Sequence, residues 1–223
     1  MGTKFSTRVW VSVVGIASIF FGSKGYADTV ISVADFGLKP DTRENAVAYV
    51  QKAIEACRGK EPVTLVFPEG RYDFWPQYAH EKNYYETNTY DVFPKRLAML
   101  FEGLHNITVD GSGSQFVMHD RIQPITVENC DGVTLKNFSI DWDIPLTAQA
   151  RVTKVGSDFF EIEINVLESP YIIEDGKLVF VGEGWKSALG SMIEFESDTH
   201  FVVPGTGDLV LGWNWGDYTA VSP

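Results

Sequence analysis

Asp141, Trp142 and Asp143 place two carboxylates on either side of one residue, just ahead of Pro145. In a strand, residues i and i+2 point to the same side, so the two acids stand roughly 6–7 Å apart at a rise of ~3.3 Å per residue. A gap of about 6.5–9.5 Å lets one carboxylic acid protonate a glycosidic oxygen while a second carboxylate activates a water, the arrangement of inverting glycoside hydrolysis. Asp141 and Asp143 are therefore the candidate catalytic residues. Any Asp-x-Asp strand has the same spacing, and Pro145 ends the strand. The alternative is a strand-end turn with two solvated acids.

Aromatic residues form the second set. Trp75, Tyr78, Tyr84, Tyr85 and Tyr90 lie in a stretch of little periodicity between Asp73 and Lys95, and Trp213, Trp215 and Tyr218 lie near the end of the sequence. Aromatic faces stack on the apolar faces of sugars. Trp75, Tyr84, Trp142, Trp213 and Trp215 are the candidate substrate-binding residues. The alternative is that they pack their loops onto the body of the protein. Asp110-Gly111-Ser112-Gly113 reads as a tight turn or a polar binding loop. It is no phosphate loop, because no Lys-Ser/Thr follows. His80, His105, His119 and His200 show no ligand spacing and read as structural or solvent-exposed. Cys57 and Cys130 form no Cys-x-x-Cys, so no metal is expected, and no organic cofactor either. The two cysteines lie among apolar neighbours and read as core thiols. A serine nucleophile has no G-x-S-x-G support.

The elements that position these residues are mostly short strands. Ile107-Thr108-Val109 aligns with Val133-Thr134-Leu135, 26 residues on, and Val63-Thr64-Leu65 has the same texture. Short strands recurring at such intervals mark a repeat architecture, in which each unit stacks on its neighbours. β-branched residues with Gly, Asp and Asn turns favour strands. The expected fold is all-β, a right-handed parallel β-helix. Ala46, Val47, Val50, Ala53, Ile54 and Cys57 have helical spacing and predict a capping helix over Ala46–Cys57, with Asp41 or Thr42 as its N-cap. Val30 to Gly37 reads as a short strand and turn. Asp73 to Lys95 reads as a long loop. After Trp142 the texture changes: Ala150–Val155 with Phe159–Asn165, and Tyr171–Ile173 with Leu178–Val181, are hairpin signals. These predict an antiparallel β-barrel-like module interrupting the β-helix.

Lys4 and Arg8, the apolar run Val9 to Phe21 and the small residue Ala27 read as an export signal. The run falls short of the ~20 residues that a membrane span needs. The expected divisions are 1–27 for the signal, 28–146 for the cap and first turns of the β-helix, and 147–223 for the antiparallel module. The expected location is periplasmic or extracellular. The whole chain has a net charge of −12. The mature chain has −15, because Lys4, Arg8 and Lys24 leave and no acidic residue does. Without a Lys/Arg cluster this disfavours nucleic acid as a partner. Few strand layers precede the module, so the chain reads as C-terminally incomplete.

Val33-Ala34-Asp35-Phe36-Gly37, the Ala46–Cys57 stripe and Val66-Phe67-Pro68-Glu69-Gly70-Arg71-Tyr72 resemble the start of pectin-lyase-like β-helix proteins. His105 to Ser114 and Val133 to Trp142, followed directly by an antiparallel module, are similar to glycoside hydrolase family 110. The resemblance implies an exported α-1,3-galactosidase that acts with inversion on galactose-terminated glycans. It implies a β-helix interrupted by β-barrel domains, with catalytic carboxylates on strands beyond residue 223. Two rivals stand beside it. One is a pectate lyase or polygalacturonase on the same fold, and the other is a non-catalytic glycan-binding β-helix protein.

Overall fold

The computed structural model describes residues 29–84, 94–204 and 209–210. The predicted signal segment, Tyr85, Tyr90, Trp213 and Trp215 lie outside the described residues. In chain order, β1 (Thr29–Ser32) leads through a 3-10 turn, Val33–Phe36, to helix α1 (Val47–Cys57). Then come β2 (Val63–Val66), β3 (Arg71–Phe74), β4 (His80–Lys82), β5 (Lys95–Glu102), β6 (His105–Met118), β7 (Gln123–Glu128) and β8 (Asp131–Trp142). The rest is β9 (Ala150–Val155), β10 (Phe160–Ile164), β11 (Tyr171–Glu174), β12 (Lys177–Gly182), β13 (Trp185–Ala188), β14 (Ser191–Met192) and β15 (Leu209–Val210). The fold is all-β with one α-helix.

The first part is built of parallel ladders. Thr29, Val63, Ile107 and Val133 are partners across β1, β2, β6 and β8, and Ile31, Leu65, Val109 and Leu135 are partners two residues on. This is the register that the matching segments predict. A second ladder carries Tyr72, Phe116 and Ile140 across β3 and the later halves of β6 and β8. A third pairs β5 with β7, Met99 opposite Ile125. Period-2 alternation turns one side of each strand inward. Val63, Leu65, Ile107, Val109, Met99, Phe101 and Phe116 are all buried. The chain bends between the two halves of β6 at Asp110–Ser114, where the β6–β8 register shifts. Asp110 Oδ1 accepts from the Ser112 amide at 2.9 Å and the Asn137 side-chain amide at 3.0 Å. Gly111 lies so close to β8 that an added Cβ would come 2.5 Å from the Phe138 Cβ. Asp110-Gly111-Ser112-Gly113 is thus the tight turn of the two expected readings.

Helix α1 lays Val47, Val50, Ala53, Ile54 and Cys57 against this core. It starts one residue later than expected, and neither Asp41 nor Thr42 caps it. They lie too far upstream. Asp41 Oδ1 accepts the Arg71 amide at 2.9 Å, and Thr42 Oγ1 accepts the Glu44 amide at 3.3 Å. Asn45 takes over the role: its Oδ1 accepts the Val47 amide at 3.1 Å and the Trp75 amide at 3.3 Å. Residues after Ser32 do not continue as a strand. Ser32 and Asp35 form a capping box that starts the 3-10 turn instead. The expected long loop takes in the last two residues of β3, Asp73 and Phe74, and the whole of β4, which pairs antiparallel with β5.

Both hairpin signals give antiparallel pairs. Val152 faces Ile162 and Ala150 faces Ile164, so the apolar residues of β9 and β10 share one side. β11, β12 and β13 form a meander, with Asp175 and Gly176 supplying the positive φ of a two-residue turn. β14 pairs with β15. Cys57 and Cys130 are free thiols. Burial pushes the Cys57 thiol up to about 11, a poor nucleophile.

Phe116 is the hub of the aromatic core. Its ring centroid lies 4.7 Å from Phe67, 4.8 Å from Phe138 and 5.7 Å from Phe74. Phe116→Ala is expected to cost about 3–5 kcal/mol of unfolding free energy. Denaturant titration measures it, and a loss of less than about 1 kcal/mol contradicts this packing.

Candidate functional site

A network of charged groups forms where the parallel ladders meet the antiparallel module. Arg71 and Asp73 stand at i and i+2 on β3, so both side chains leave on the same side. Arg71 Nη2 donates to Asp73 Oδ1 at 2.5 Å and to Asp143 Oδ1, just past β8, at 2.7 Å. The Asp73 side chain has no solvent exposure. Its Oδ1 also lies 2.9 Å from His119 Nε2. The other ring nitrogen, Nδ1, lies 2.7 Å from Oε2 of Glu183, in the β12–β13 turn. Trp75 covers the imidazole face, with centroids 3.8 Å apart and planes 9° apart.

The electrostatics follow from these contacts. Burial pushes the Asp73 carboxyl up, but hydrogen bonds from Arg71 and His119 outweigh it and hold the group below its ordinary value of 3.8. The Arg71 guanidinium is raised, first by its bond to Asp73. Ionised carboxylates only accept hydrogen bonds. Each His119 ring nitrogen faces one carboxylate oxygen, from Asp73 on one side and Glu183 on the other. His119, Asp143 and Glu183 also bring one potential ligand atom each within 4.8 Å of one another. Arg71 already occupies Asp143, and Glu183 already faces Nδ1. The set is closed as an ion-pair network, and these residues are not assigned as metal ligands.

The candidate residues have different surroundings. Asp143 belongs to the network. Asp141 does not: it is exposed, and its Oδ1 accepts the amide of Trp142 at 2.8 Å. Trp142 is half-buried against the core and donates Nε1–H to the Asp120 carbonyl at 3.2 Å. Trp75 is the stacking partner of His119. Tyr84 bonds through its hydroxyl to Glu128, beside Lys82. Lys82 Nζ bridges Glu102 at 2.7 Å and Glu128 at 2.8 Å. Those two acids stand opposite each other across β5 and β7, and Lys82 offsets their repulsion. Each described aromatic candidate thus has a packing or hydrogen-bonding role. His80, His105 and His200 are exposed, and His119 is buried. Arg71, Asp73, His119 and Glu183 were not legible as a group, since Asp73 and Glu183 lie 46 and 64 residues from His119.

Comparison with known proteins bears on both parts of the chain. The family described as GLAA-B beta-barrel domain I matches residues 148–222. Alpha-1,3-galactosidase B of Bacteroides thetaiotaomicron is 58% identical over 88% of this chain and 32% of its own length. The chain corresponds to the N-terminal part of a glycoside hydrolase family 110 protein. Alpha-1,3-galactosidase A of Shewanella woodyi is 36% identical over 75% of this chain and 28% of that protein. Alpha-1,3-galactosidase B of Phocaeicola vulgatus is 36% identical over 90% of this chain and 32% of that protein. The chain spans about a third of the length of these curated relatives. Among the described residues no helix is long and apolar enough to cross a membrane, which says nothing of a β-barrel.

The pH response of the network has a definite sign. Asp73 is held below its ordinary value, so its stabilisation is present above that value and is lost as pH falls through the folded-state one. Arg71→Met removes the largest opposing influence and leaves burial to raise the carboxyl. Unfolding titrations from about pH 7 to about pH 3 are expected to show a loss of about 3–5 kcal/mol at neutral pH and an acid decline that begins at higher pH. Coincident wild-type and variant curves contradict the assignment.

Proposed function

We propose that this chain supplies the N-terminal region of an exported glycoside hydrolase that removes terminal α-1,3-linked galactose from glycans with inversion of configuration. The observation that carries the reading is the 58% identity, over 88% of the chain, to a protein named alpha-1,3-galactosidase B. The match of 148–222 to a GLAA-B β-barrel domain supports it. The parallel ladders are the first turns of a right-handed parallel β-helix, and β9 to β15 belong to a barrel-like insertion. In-register parallel partners across β1, β2, β6 and β8 support this. Export to the periplasm or the cell exterior is supported by Lys4, Arg8 and the apolar run that follows.

The chemistry requires one carboxylic acid to protonate the leaving oxygen and a second carboxylate to activate water. We propose that this pair lies on strands beyond residue 223, as the family resemblance implies. Within this chain, the Arg71 contact makes Asp143 a bound counter-ion, and Asp141 stays solvated. Trp75, Tyr84, Trp142, Trp213 and Trp215 are proposed as substrate-binding residues.

The test uses the intact protein carrying this chain and a Galα1,3Gal disaccharide, followed by proton NMR from the first turnover. β-Galactose is expected to appear before mutarotation yields the α-anomer. α-Galactose as first product, or an unsaturated uronide from pectic substrates, rejects the reading.

A further inference from the structure

Tyr78 belongs neither to the charged network nor to the core. It is 64% exposed and has a φ of 69. A bulky residue at positive φ is an outlier that needs a holding force. Side chains of the helical segment supply it. Gln51 Nε2 donates to the Tyr78 carbonyl at 2.8 Å, and Asn45 Nδ2 donates to the Gln77 carbonyl at 2.8 Å. The Ala79 amide closes the turn on the Pro76 carbonyl at 3.1 Å. The turn is thus pinned to α1, and an aromatic ring is left in solvent beside the helix.

Between the turn and α1 lies an open cleft of about 390 Å³, lined by Glu44, Asn45, Ala48, Tyr49, Lys52 and Tyr78. Small-ligand sites run from about 300 to about 1,000 Å³ and join apolar and aromatic surface to a few polar groups. This cleft has that make-up. Tyr49 packs against the core, which fixes its ring, and Tyr78 stands free across from it. Glu44 offers hydrogen-bond acceptors, Lys52 offers donors, and the phenol hydroxyls offer both. Among the described residues, no hydrogen bond or ion pair engages the side chains of Glu44, Tyr49, Lys52 or Tyr78. Asn45 is different: its Oδ1 holds the Val47 amide and its Nδ2 the Gln77 carbonyl, so it frames the cleft.

This combination selects among ligands. A wholly apolar ligand would strip water from Glu44 and Lys52 and replace none of its hydrogen bonds. An anion would gain from Lys52 and lose to Glu44. A neutral hexopyranose meets every group, because its C–H face lies on an aromatic ring and its hydroxyls both donate and accept. We propose that the cleft between α1 and residues 76–79 binds a neutral hexopyranose, with Tyr78 stacking on the sugar ring and Glu44 and Lys52 bonding its hydroxyls. This binding does not depend on the hydrolytic reading.

The probes are methyl β-D-galactopyranoside and methyl β-D-glucopyranoside, which differ in the configuration at one hydroxyl, with sodium glucuronate as the charged counterpart. Amide hydrogen exchange of residues 75–79 is measured in the intact protein as each probe is titrated, so the signal is local to the cleft. A neutral glycoside is expected to slow this exchange saturably, and glucuronate to bind more weakly. Tyr78→Ala is expected to weaken the binding by about tenfold or more, and Tyr78→Phe, which keeps the ring, to stay within about threefold of wild type. Lys52→Met, on the helix side, is expected to weaken it without altering the turn. No saturable protection by either glycoside, equal affinity in wild type and Tyr78→Ala, or tighter binding of glucuronate overturns the proposal.

Discussion

A carboxylate with no solvent exposure must be matched by cations, or its ionisation is too costly to keep. Asp73 is that carboxylate, and the organisation around it answers to this demand. Arg71 meets it from two residues away on the same strand, and His119 meets it from the end of β6. The main chain of Asp73 is engaged as well. Its carbonyl accepts the Ala46 amide at 2.8 Å at the start of α1. One residue thus fixes the entry to the helix, a strand of the second ladder and the ring that faces the antiparallel module.

The apolar core and this polar junction divide the work. The core supplies non-directional stabilisation: Phe67, Phe74, Phe116 and the inward residues of the ladders fill the space under α1. It does not specify how the antiparallel module meets the ladders. The junction does so through directional contacts. Arg71 spans from β3 to Asp143 beyond β8, and His119 spans to Glu183. A substitution in the core is felt as lost stability. One at the junction also changes the relation between the two parts.

Much of the fold was legible because it is written in local pattern. The alignment of Ile107-Thr108-Val109 with Val133-Thr134-Leu135 gives the β6–β8 register residue for residue. The alternation in Phe160, Ile162 and Ile164 gives the β9–β10 hairpin. Where tertiary contacts competed with local signals, the pattern misled. Asp41 and Thr42 have the chemistry of helix caps, but Asp41 ties its turn onto β3 and Thr42 accepts the nearby Glu44 amide, while Asn45 caps α1 and also binds the segment after β3. The charged site was the least legible part. Its members have ordinary neighbours in sequence, and Arg71 and Asp143 are 72 residues apart. Only the stacking of β3, β6 and β8 brings them together. Of the Asp141–Asp143 pair, the stacking takes one into the network and leaves the other in solvent.

A double-mutant cycle between Arg71 and Asp73 addresses the central claim most directly. The variants are Arg71→Met, Asp73→Asn and their combination, each measured by denaturant unfolding at neutral pH. The account predicts that the double variant is more stable than the sum of the single losses implies, with a coupling of about 1–3 kcal/mol. A lone buried charge is worse than none. Strict additivity, with a coupling within about 0.5 kcal/mol of zero, contradicts the claim that Asp73 and its cations organise this junction.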